Sequence, residues 1–437
     1  MKVFSAVFIC KLLYFIGKLV GKGSSLPGKV VLRLFPGVLS LLSLPEVVIA
    51  VTGSNGKTST TEMIVHVLKS CGKTVAWNYE GSNQTEGIAT LLLRCATFNG
   101  KIKYDAVVME CDERYAKNIF SNVKPSVLLV TNLCRDQLTR NGHHEFVADC
   151  LRAAVDVLGD GVAASGVQLV LNADDPYVSA LAYSLQGAQG DGSSVLYFGV
   201  SSSGDGVSPV AGMYDDGAFC PVCKARMTYS YCIIGHFGDY KCSGCGFERN
   251  KPDVSLATQE NRPLVFIYNM CATGAVAKAV GIEASDVENA LRNFEAKSGR
   301  TAPLALGERN GMLLISKHEN SFAYNNSLSW IVSRKSHCTV IILVDSISRK
   351  YYTSETSWLW DIDFDLLSDD CVKNVVLAGR YVNELAARFV MSEVSFNKVG
   401  LVADLSDLRN FTEKNTTGDV FVMTCFSDKA KLLKEFG

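Results

Sequence analysis

Runs of consecutive apolar residues alternate along the chain with segments in which apolar residues recur every three or four positions. The runs EVVIAVT (46–52), YDAVVMEC (104–111) and PSVLLVTN (125–132) have the composition of buried strands. The segments KTSTTEMIVHVLKSCG (57–72) and HEFVADCLRAAVDVL (144–158) have helical spacing. This alternation predicts an α/β fold whose parallel sheet is covered on both faces.

A second set of strand patterns follows the sequence SGRTAP (298–303). These patterns are GMLLISK (311–317), CTVIILVD (338–345) and VKNVVLAG (372–379). We therefore predict three parts of the chain and one insertion. They are a basic N-terminal helical segment at 1–45, a central domain at 46–299 with a cysteine-rich insertion at about 216–250, and a C-terminal α/β domain at 300–437.

The N-terminal segment is both apolar and basic, because the first acidic residue of the chain is Glu46. Lys11 interrupts its first apolar run, and neither run approaches the roughly 20 residues that a membrane span needs. No small-residue cleavage site typical of a signal peptide is evident. Two compatible interpretations fit: a helix lying on an anionic membrane surface, and a helix packed on the body of the protein.

The stretch AVTGSNGKTSTT (50–61) places a glycine turn between a predicted strand and a predicted helix. In that context backbone N–H groups and the helix dipole face an anionic phosphate. Lys57 would reach the terminal phosphates, and the Thr58 hydroxyl would bind magnesium. Only two residues separate Gly53 from Gly56, fewer than in the common nucleotide loop. The stretch predicts an ATP site of an unusual, short type.

Magnesium needs several oxygen ligands, and Glu110 ends the strand DAVVME, where its carboxylate would project toward the glycine turn. A carboxylate at a strand end also serves as a structural cap, so both interpretations stay open for Glu110. Further candidates for the same cluster are Glu113, Asp136 and Asp174.

Two cysteine pairs, Cys220-x2-Cys223 and Cys242-x2-Cys245, are separated by eighteen residues. Two such knuckles joined by a hairpin supply four thiolates to a tetrahedral zinc ion. A closed four-thiolate site has no open position for a substrate, so we expect this zinc to be structural. Cys232 and His236 lie between the pairs but in no knuckle.

The amino-acid composition indicates in which cellular compartment the protein folds and whether nucleic acid is a partner. The 437 residues include fifteen irregularly spaced cysteines, a pattern that indicates a reducing compartment rather than a disulfide scaffold. The net charge of −1 provides no general attraction to nucleic acid. A zinc-ribbon nucleic-acid-binding ATPase is thus the weaker alternative, supported only by the basic residues Lys224, Arg226, Lys241, Arg249 and Lys251 near the ribbon.

The short loop TGSNGKT, the acidic turn in LVLNADDP (169–176) and the SGRTAP junction resemble the Mur ligase superfamily, which joins carboxylates to amines using ATP. With NYEGSN (78–83), the paired cysteines and TSWLWDIDFD (356–365), the chain is similar to the MurT family, the ligase subunits of lipid II isoglutaminyl synthase. The resemblance implies a central P-loop ATPase domain with a zinc ribbon insertion and a C-terminal Rossmann-like α/β domain.

In that family, ATP phosphorylates the α-carboxylate of D-glutamate in the lipid II stem peptide, and ammonia converts the acyl phosphate to D-isoglutamine. The ammonia comes from a glutaminase partner of the GatD type. The resemblance therefore implies a cytoplasmic enzyme of peptidoglycan synthesis that uses ATP, Mg²⁺ and a structural Zn²⁺. Its substrate, lipid II, would be met at the inner membrane face, with no nucleic acid involved. An amino-acid-adding Mur-type ligase is the alternative within the superfamily.

The family motifs also assign site residues. Thr58 and Glu110 would bind magnesium, Asn269 would contact the adenine, and Arg300 would reach the nucleotide from the domain junction. The phosphates would be held by Gly53, Ser54, Asn55, Gly56, Lys57, Thr58 and Ser59.

Two departures from the family pattern concern the C-terminal domain. Family members carry an aspartate that completes the partner's Cys-His pair, and Tyr352 stands at that position here. Glu355 and Asp361 are the candidate catalytic replacements, unless the partner supplies its own acid. Lys317 is kept but lacks the Asn-Pro that commonly follows it, which leaves the exact substrate geometry open.

Overall fold

Two separate β-sheets organise the chain, and a two-stranded ribbon is attached to the first. The computed structural model describes residues 1–19, 23–158, 166–186, 195–201, 215–257, 263–292, 294, 301–347 and 355–436.

The first sheet has seven strands in the order β2-β3-β1-β4-β5-β6-β9, and all its pairings are parallel. Strand β1 lies where the order reverses, with β3 on one side and β4 on the other, the position at which such sheets bind ligands. The strands are β1 (Val47–Thr52), β2 (Val75–Trp77), β3 (Ala106–Glu110), β4 (Val127–Val130), β5 (Gln168–Asn172), β6 (Val195–Ser201) and β9 (Val254–Ala257).

Helices cover both faces of this sheet, which confirms the predicted architecture. Buried side chains of α3 and α9 pack on one face, and those of α4, α5, α7 and α8 pack on the other. The helices of this half are α1 (Lys2–Leu19), α2 (Leu26–Leu34), α3 (Lys57–Ser70), α4 (Thr85–Cys95), α5 (Ala116–Phe120), α6 (Leu138–Asn141), α7 (His144–Asp156), α8 (Pro176–Gln186), α9 (Leu264–Ala279) and α10 (Ala284–Leu291).

The N-terminal helices pack on the body as a second layer over α4. Ala6, Val7 and Cys10 of α1 are fully buried in the same core as α4. Gly28 of α2 approaches α4 so closely that a Cβ atom there would lie 1.9 Å from the Glu86 carbonyl oxygen. The body-packed interpretation of this segment therefore holds for the inner face of α1. Within the described ranges, no helix combines the length and apolar character that crossing a membrane requires.

The ribbon is an antiparallel hairpin of β7 (Met227–Ile234) and β8 (Phe237–Cys242). Met227, Tyr240 and Phe247 form a small core with cysteines of the two pairs. The Tyr240 hydroxyl donates a hydrogen bond of 3.1 Å to the Ala173 carbonyl at the end of β5, which ties the ribbon to the first sheet.

The second sheet has six strands in the order β10-β11-β15-β12-β13-β14. Only β10 runs antiparallel, at one edge, so this sheet is mixed. The strands are β10 (Thr301–Leu306), β11 (Arg309–Ser316), β12 (Cys338–Leu343), β13 (Val372–Ala378), β14 (Val399–Val402) and β15 (Asp419–Cys425). The helices are α11 (Ser321–Ser333), α12 (Val382–Phe389), α13 (Leu405–Asn415) and α14 (Lys429–Phe436), with 3₁₀ turns at Ser357–Asp361, Phe364–Ser368 and Phe396–Lys398.

Candidate active site

The glycine loop between β1 and α3 has a backbone that only glycine accommodates at two positions. Gly53 and Gly56 have φ angles of +118° and +82°. A Cβ atom on Gly53 would lie 2.3 Å from the Thr131 hydroxyl, and one on Gly56 would lie 2.4 Å from the Asn269 side-chain oxygen. The sequence pattern G-x-x-G is therefore required by both conformation and space.

The end of the neighbouring strand β4 holds this loop in place. Asn132 accepts a hydrogen bond of 2.9 Å from the Asn55 backbone N–H and donates one of 3.0 Å to the Asn55 carbonyl. Its own carbonyl accepts from the Ser54 N–H at 2.7 Å. The Thr131 hydroxyl donates to the Asn55 carbonyl at 2.8 Å. These contacts keep the loop formed without a ligand, which lowers the ordering cost of binding one.

The ammonium group of Lys57 lies buried at the start of α3, between the loop and an acidic cluster. It donates hydrogen bonds to the Gly53 carbonyl and, at 2.5 Å, to a carboxylate oxygen of Glu113. Burial acts to lower the pKa of Lys57, but the nearby carboxylates of Glu113, Asp136 and Glu110 together raise it above its usual value. The lysine is thus a permanent positive charge beside the loop.

Glu110 ends β3 as predicted and is 6% exposed. Its carboxylate accepts a hydrogen bond of 3.1 Å from the Asn83 side chain. The Asn78 side chain bonds both the N–H and the carbonyl of Glu110, each at 2.9 Å. The stretch NYEGSN (78–83) therefore fixes the end of the strand and the direction of its carboxylate.

The residues at this site fit a triphosphate and magnesium. The Asn55 side-chain nitrogen and the hydroxyls of Thr60 and Thr61 are buried, and the described residues offer them no hydrogen-bond partner. Such buried polar groups are costly unless a ligand or water completes them. The hydroxyl of Thr58 and the carboxylate of Glu110 are oxygen ligands of the type that Mg²⁺ prefers.

A segment of the C-terminal domain between β11 and α11 docks directly on the loop. The Lys317 ammonium donates to the Ser54 carbonyl at 2.9 Å and to an Asp136 carboxylate oxygen at 2.8 Å. The Asn320 side chain donates to the side-chain oxygens of Asn55 and Asp136, both at 2.7 Å. Burial, opposed by Asp136, lowers the pKa of Lys317. The two domains therefore share one polar site.

Glu319 adds to this contact, although no sequence pattern marks it as a site residue. Its carbonyl accepts from the Gln137 N–H at 2.9 Å, and its carboxylate accepts from the Thr139 hydroxyl at 2.5 Å. Asn320 was also missed, although it is an N-cap residue, its side chain accepting a hydrogen bond from Ala323 N at 2.7 Å. The cap signal predicts a helix start, not the contact with the loop.

A second link between the domains passes through Arg135. Its guanidinium donates to Asp216 at the base of the ribbon at 2.7 Å, and to Asp361 of the C-terminal domain at 2.8 Å. Burial raises the pKa of Asp361, although Arg135 opposes this. Asp361 is thus engaged in an ion pair, whereas Glu355 is exposed and accepts a hydrogen bond from the Ser357 N–H at 2.7 Å. Tyr352 and Arg300 lie outside the described residues.

Two further candidates have different surroundings. Asn269 on α9 lies beside Gly56 of the loop, and its predicted contact with adenine stays a prediction. Asp174 was a candidate for the acidic cluster around Lys57, but the structure places it elsewhere. Its two carboxylate oxygens accept hydrogen bonds from Arg249 at 2.7 Å and from the Tyr268 hydroxyl at 2.8 Å. Asp174 is fully buried and therefore ties α9 to the segment that follows the ribbon.

The four paired cysteines converge at the ribbon. Their ligand atoms all lie within 4.8 Å of one another, with Sγ–Sγ distances of 3.7 Å for Cys220–Cys245 and 3.4 Å for Cys223–Cys242. A tetrahedral zinc–thiolate site requires separations of about 3.8 Å. Burial raises the pKa of Cys220 to about 12, whereas N–H groups of the second knuckle outweigh burial at Cys242 and lower its pKa to about 6, which favours a thiolate at that position. The cluster fits zinc.

Comparison with protein-family models matches residues 51–218 to the Mur ligase middle domain and residues 318–428 to the MurT ligase C-terminal domain. The two models together span more than half of the chain, and include the loop and the segment around Asn320. The chain belongs to the Mur ligase family. As a Mur ligase with MurT-type domains, it is an ATP-dependent ligase.

Two MurT subunits match this chain over nearly its whole length. The MurT subunit of lipid II isoglutaminyl synthase (glutamine-hydrolyzing) from Staphylococcus aureus is 25% identical over 413 residues, which cover 90% of this chain and 89% of that protein. The MurT subunit from Streptococcus pneumoniae is 25% identical over 440 residues, which cover 95% of this Mur ligase and 92% of the relative.

Solved structures support the same fold. A pseudomurein peptide ligase type C from Methanothermus fervidus aligns with a TM-score of 0.67 at 19% identity, covering 91% of this chain and 80% of that one. MurF from Acinetobacter baumannii aligns with a TM-score of 0.59 at 13% identity, covering 92% and 80%. At these identities the alignments establish the Mur ligase fold alone.

Proposed function

We propose that this chain is the ligase subunit of a lipid II amidating enzyme, which converts the α-carboxylate of D-glutamate in the stem peptide to the amide of D-isoglutamine. The observation that carries the proposal is the similarity to MurT subunits over 90% of the chain. That span takes in the phosphate loop and the segment at Lys317, where the two domains meet. The geometry of the site supports a ligase that brings a nucleotide and a carboxylate together.

In this proposal the loop from Gly53 to Ser59 holds the phosphates of ATP, with Lys57 beside the terminal group. Thr58 and Glu110 hold magnesium, which would neutralise the charge of the phosphates and orient them. Asn269 and Arg300 are proposed to contact the nucleotide itself. We propose that Lys317 of the C-terminal domain stabilises negative charge on the reacting groups, and its contact with the Ser54 carbonyl of the loop at 2.9 Å supports this role.

The reaction follows the chemistry of carboxylate activation. A carboxylate oxygen attacks the γ-phosphorus, the bond to the bridging oxygen breaks, and ADP leaves. Ammonia then attacks the carbonyl carbon of the acyl phosphate, phosphate leaves, and a proton is lost from nitrogen. The chain contributes mostly by holding both reactants in line and by matching the developing charge.

We propose that the ammonia comes from a separate glutaminase subunit of the GatD type. Burial raises the pKa of Cys232 and Cys371 to about 11, and of Cys271 and Cys425 to about 12. Thiols with such values are poor nucleophiles, so these residues do not suit glutamine hydrolysis. Glu355 is the better placed of the two candidate acids to reach a partner, because Arg135 occupies Asp361.

The proposed substrate carries a lipid, so the enzyme would act at the inner face of the cytoplasmic membrane as a peripheral protein. An amino-acid-adding ligase remains the second candidate. It is favoured by a shorter match to the UDP-N-acetylmuramoylalanine--D-glutamate ligase of Brucella abortus, 33% identical over 140 residues, 32% of this chain. A nucleic-acid-binding ATPase has no comparable support.

The experiment that separates these candidates supplies purified chain with lipid II, ATP and magnesium, and varies the amine. We expect ammonia alone to give a product about one mass unit lighter, because NH2 replaces OH. Glutamine should act only when a co-expressed glutaminase subunit is present. A product that instead gains the mass of a free amino acid would contradict amidation and favour the second candidate.

A further inference from the structure

The outer face of α1 carries a continuous row of large apolar side chains. They range from 47% exposed for Leu12 to 76% for Leu19. Because a helix turns by about 100° per residue, these positions share an arc of about 120°. We call this row the α1 outer face, which comprises Phe4, Phe8, Leu12, Phe15, Ile16 and Leu19.

The inner face of the same helix is apolar as well, but it is already buried. Ala6, Val7 and Cys10 have no exposed surface and pack in the core shared with α2 and α4. A helix that is hydrophobic on all sides is normally covered on all sides. A row of six large apolar side chains, each about half exposed or more, marks a surface that another molecule covers.

Positive charge borders the α1 outer face. At helical spacing, Lys2 lies beyond one edge of the arc, and Lys11 and Lys18 lie beyond the other. Lys29 and Arg33 follow on α2, and no acidic residue precedes Glu46 in the sequence. Charge complementarity therefore favours an anionic surface. A second copy of the chain would bring the same lysines together, which disfavours self-association.

The patch continues onto the body beside the helix. The ring of Phe98, which is 47% exposed, lies 5.2 Å from that of Phe4, and the Lys11 ammonium lies 5.2 Å from the centre of the Phe98 ring. Next to Lys11 opens a crevice of about 470 Å³ that is also lined by Lys69 and Arg94. One carboxylate, that of Glu80, adjoins it by accepting a hydrogen bond from Tyr14. Apolar and phosphate-attracting groups thus stand side by side.

We propose that α1 lies in the plane of an anionic lipid bilayer, with its outer face inserted at the boundary between headgroups and acyl chains. The flanking lysines would then sit at the level of the lipid phosphates, the arrangement by which amphipathic helices bind membranes. This inference concerns attachment and does not depend on which amine or carboxylate the enzyme uses. It needs no part of the chain to cross the membrane.

The test is co-sedimentation of the full chain with vesicles, without ATP or substrate. Vesicles of equal parts phosphatidylglycerol and phosphatidylcholine should bind the chain, and pure phosphatidylcholine should bind it at least about tenfold more weakly. The double variant Phe8→Ser with Phe15→Ser should lose at least about tenfold in partitioning to the anionic vesicles. A Lys11→Gln with Lys18→Gln variant should lose about tenfold on anionic vesicles only.

A matched control removes similar apolar surface elsewhere. Met391 and Phe396 of the C-terminal domain are 69% and 57% exposed, and Met391→Ser with Phe396→Ser should leave vesicle binding unchanged. The proposal is overturned if the parent chain stays in solution with anionic vesicles, or if the phenylalanine variant binds as the parent does. It is also overturned if light scattering shows a dimer that the phenylalanine variant loses while vesicle binding is absent. If a thermal transition shows that the phenylalanine variant is unfolded, the lysine variant replaces it in the test. The proposal is then overturned if the lysine variant binds anionic vesicles as the parent does.

Discussion

The cysteines of the ribbon lie at most 25 positions apart, whereas the contact between Asn320 and Asn55 at the phosphate loop spans 265 positions. The ribbon assembles its ligands from one hairpin and its two knuckles. The loop takes its surroundings from β3, β4, α9 and the second domain. A local site of the first kind stabilises the fold around it, whereas a site of the second kind depends on how distant parts are placed and suits a reaction between two reactants.

This contrast is tested most strongly at Lys57. Lys57→Ala should lower the amidation rate by at least about a hundredfold, because it removes the buried ammonium that we propose binds the terminal phosphate. Zinc content and the far-ultraviolet circular dichroism should stay unchanged, since the ribbon is built elsewhere. Lys73→Ala, exposed in the turn that follows the same helix, is the control and should keep full activity. Retained activity in Lys57→Ala would count against the assigned loop.

A substitution in the ribbon should instead affect zinc content and stability. Cys242→Ser should lose zinc and lower the free energy of unfolding by several kcal/mol, since metal binding energy is folding energy at such sites. Metal analysis and thermal unfolding measure the two effects. Cys232→Ser, between the knuckles but outside the cluster, should keep its zinc. One tightly bound zinc per chain in both variants would show that the cluster is not the metal site.

A substitution with a smaller expected effect removes the contact between the C-terminal domain and the loop. Asn320→Ala removes the two hydrogen bonds of 2.7 Å to Asn55 and Asp136, together with the 2.7 Å cap bond from the Ala323 N–H, and leaves the loop sequence intact. We expect amidation to fall by about tenfold and zinc content to stay constant. Asn325→Ala, one turn further along α11 and bonded to the Asp361 carbonyl instead, is the comparison. Equal losses of amidation rate in both variants would mean that the contact between Asn320 and the loop contributes nothing specific to catalysis.

The smallest expected effect is a change in the pH dependence of stability. It arises at the base of the ribbon, where His144 of α7 lies 3.6 Å from Asp216. Burial, assisted by His236, lowers the pKa of His144 to about 3. The unfolded chain binds a proton there below about pH 6.5, and the folded chain does not until about pH 3, so acid favours unfolding in that window. Between pH 6.5 and 5.5 this group should remove up to about 1 kcal/mol of stability.

His144→Phe isolates this contribution, because neighbouring groups titrate in both proteins. His236 acts in the opposite sense: burial lowers its pKa, but the adjacent Asp175 raises it above the usual value overall. Urea unfolding at both pH values should show a smaller acid-induced loss in His144→Phe than in the parent, with zinc retention checked at each pH. An identical loss in the two proteins would contradict the assigned pKa of His144.

Much of the first domain and the whole cysteine cluster are predictable from the sequence. Strand composition, the Gly53–Gly56 turn and the cysteine spacing all report local structure, and each is reproduced by the fold. The strand-end position of Glu110 also follows from the pattern. These features depend on residues within one or two elements, which is the range over which periodicity and turn chemistry act.

The remaining parts of the site depend on packing between distant segments. No local pattern indicates that Glu113 pairs with Lys57, that Glu319 and Asn320 reach the loop, or that Arg135 joins Asp216 to Asp361. Asp174 is the opposite case. Its position at a strand end predicted a place in the acidic cluster, but it accepts hydrogen bonds from Arg249 and Tyr268 instead. Sequence spacing locates candidate groups, and tertiary packing decides which of them meet.

We propose that the loop and the facing C-terminal segment hold the terminal phosphate of ATP against a carboxylate. The most direct measurement uses lipid II labelled with oxygen-18 in the α-carboxylate of D-glutamate, together with ATP, magnesium and ammonia. If that carboxylate is phosphorylated, each amide formed releases inorganic phosphate that carries one labelled oxygen, and Lys57→Ala releases none. Amide formation with unlabelled phosphate would rule out phosphorylation of that carboxylate.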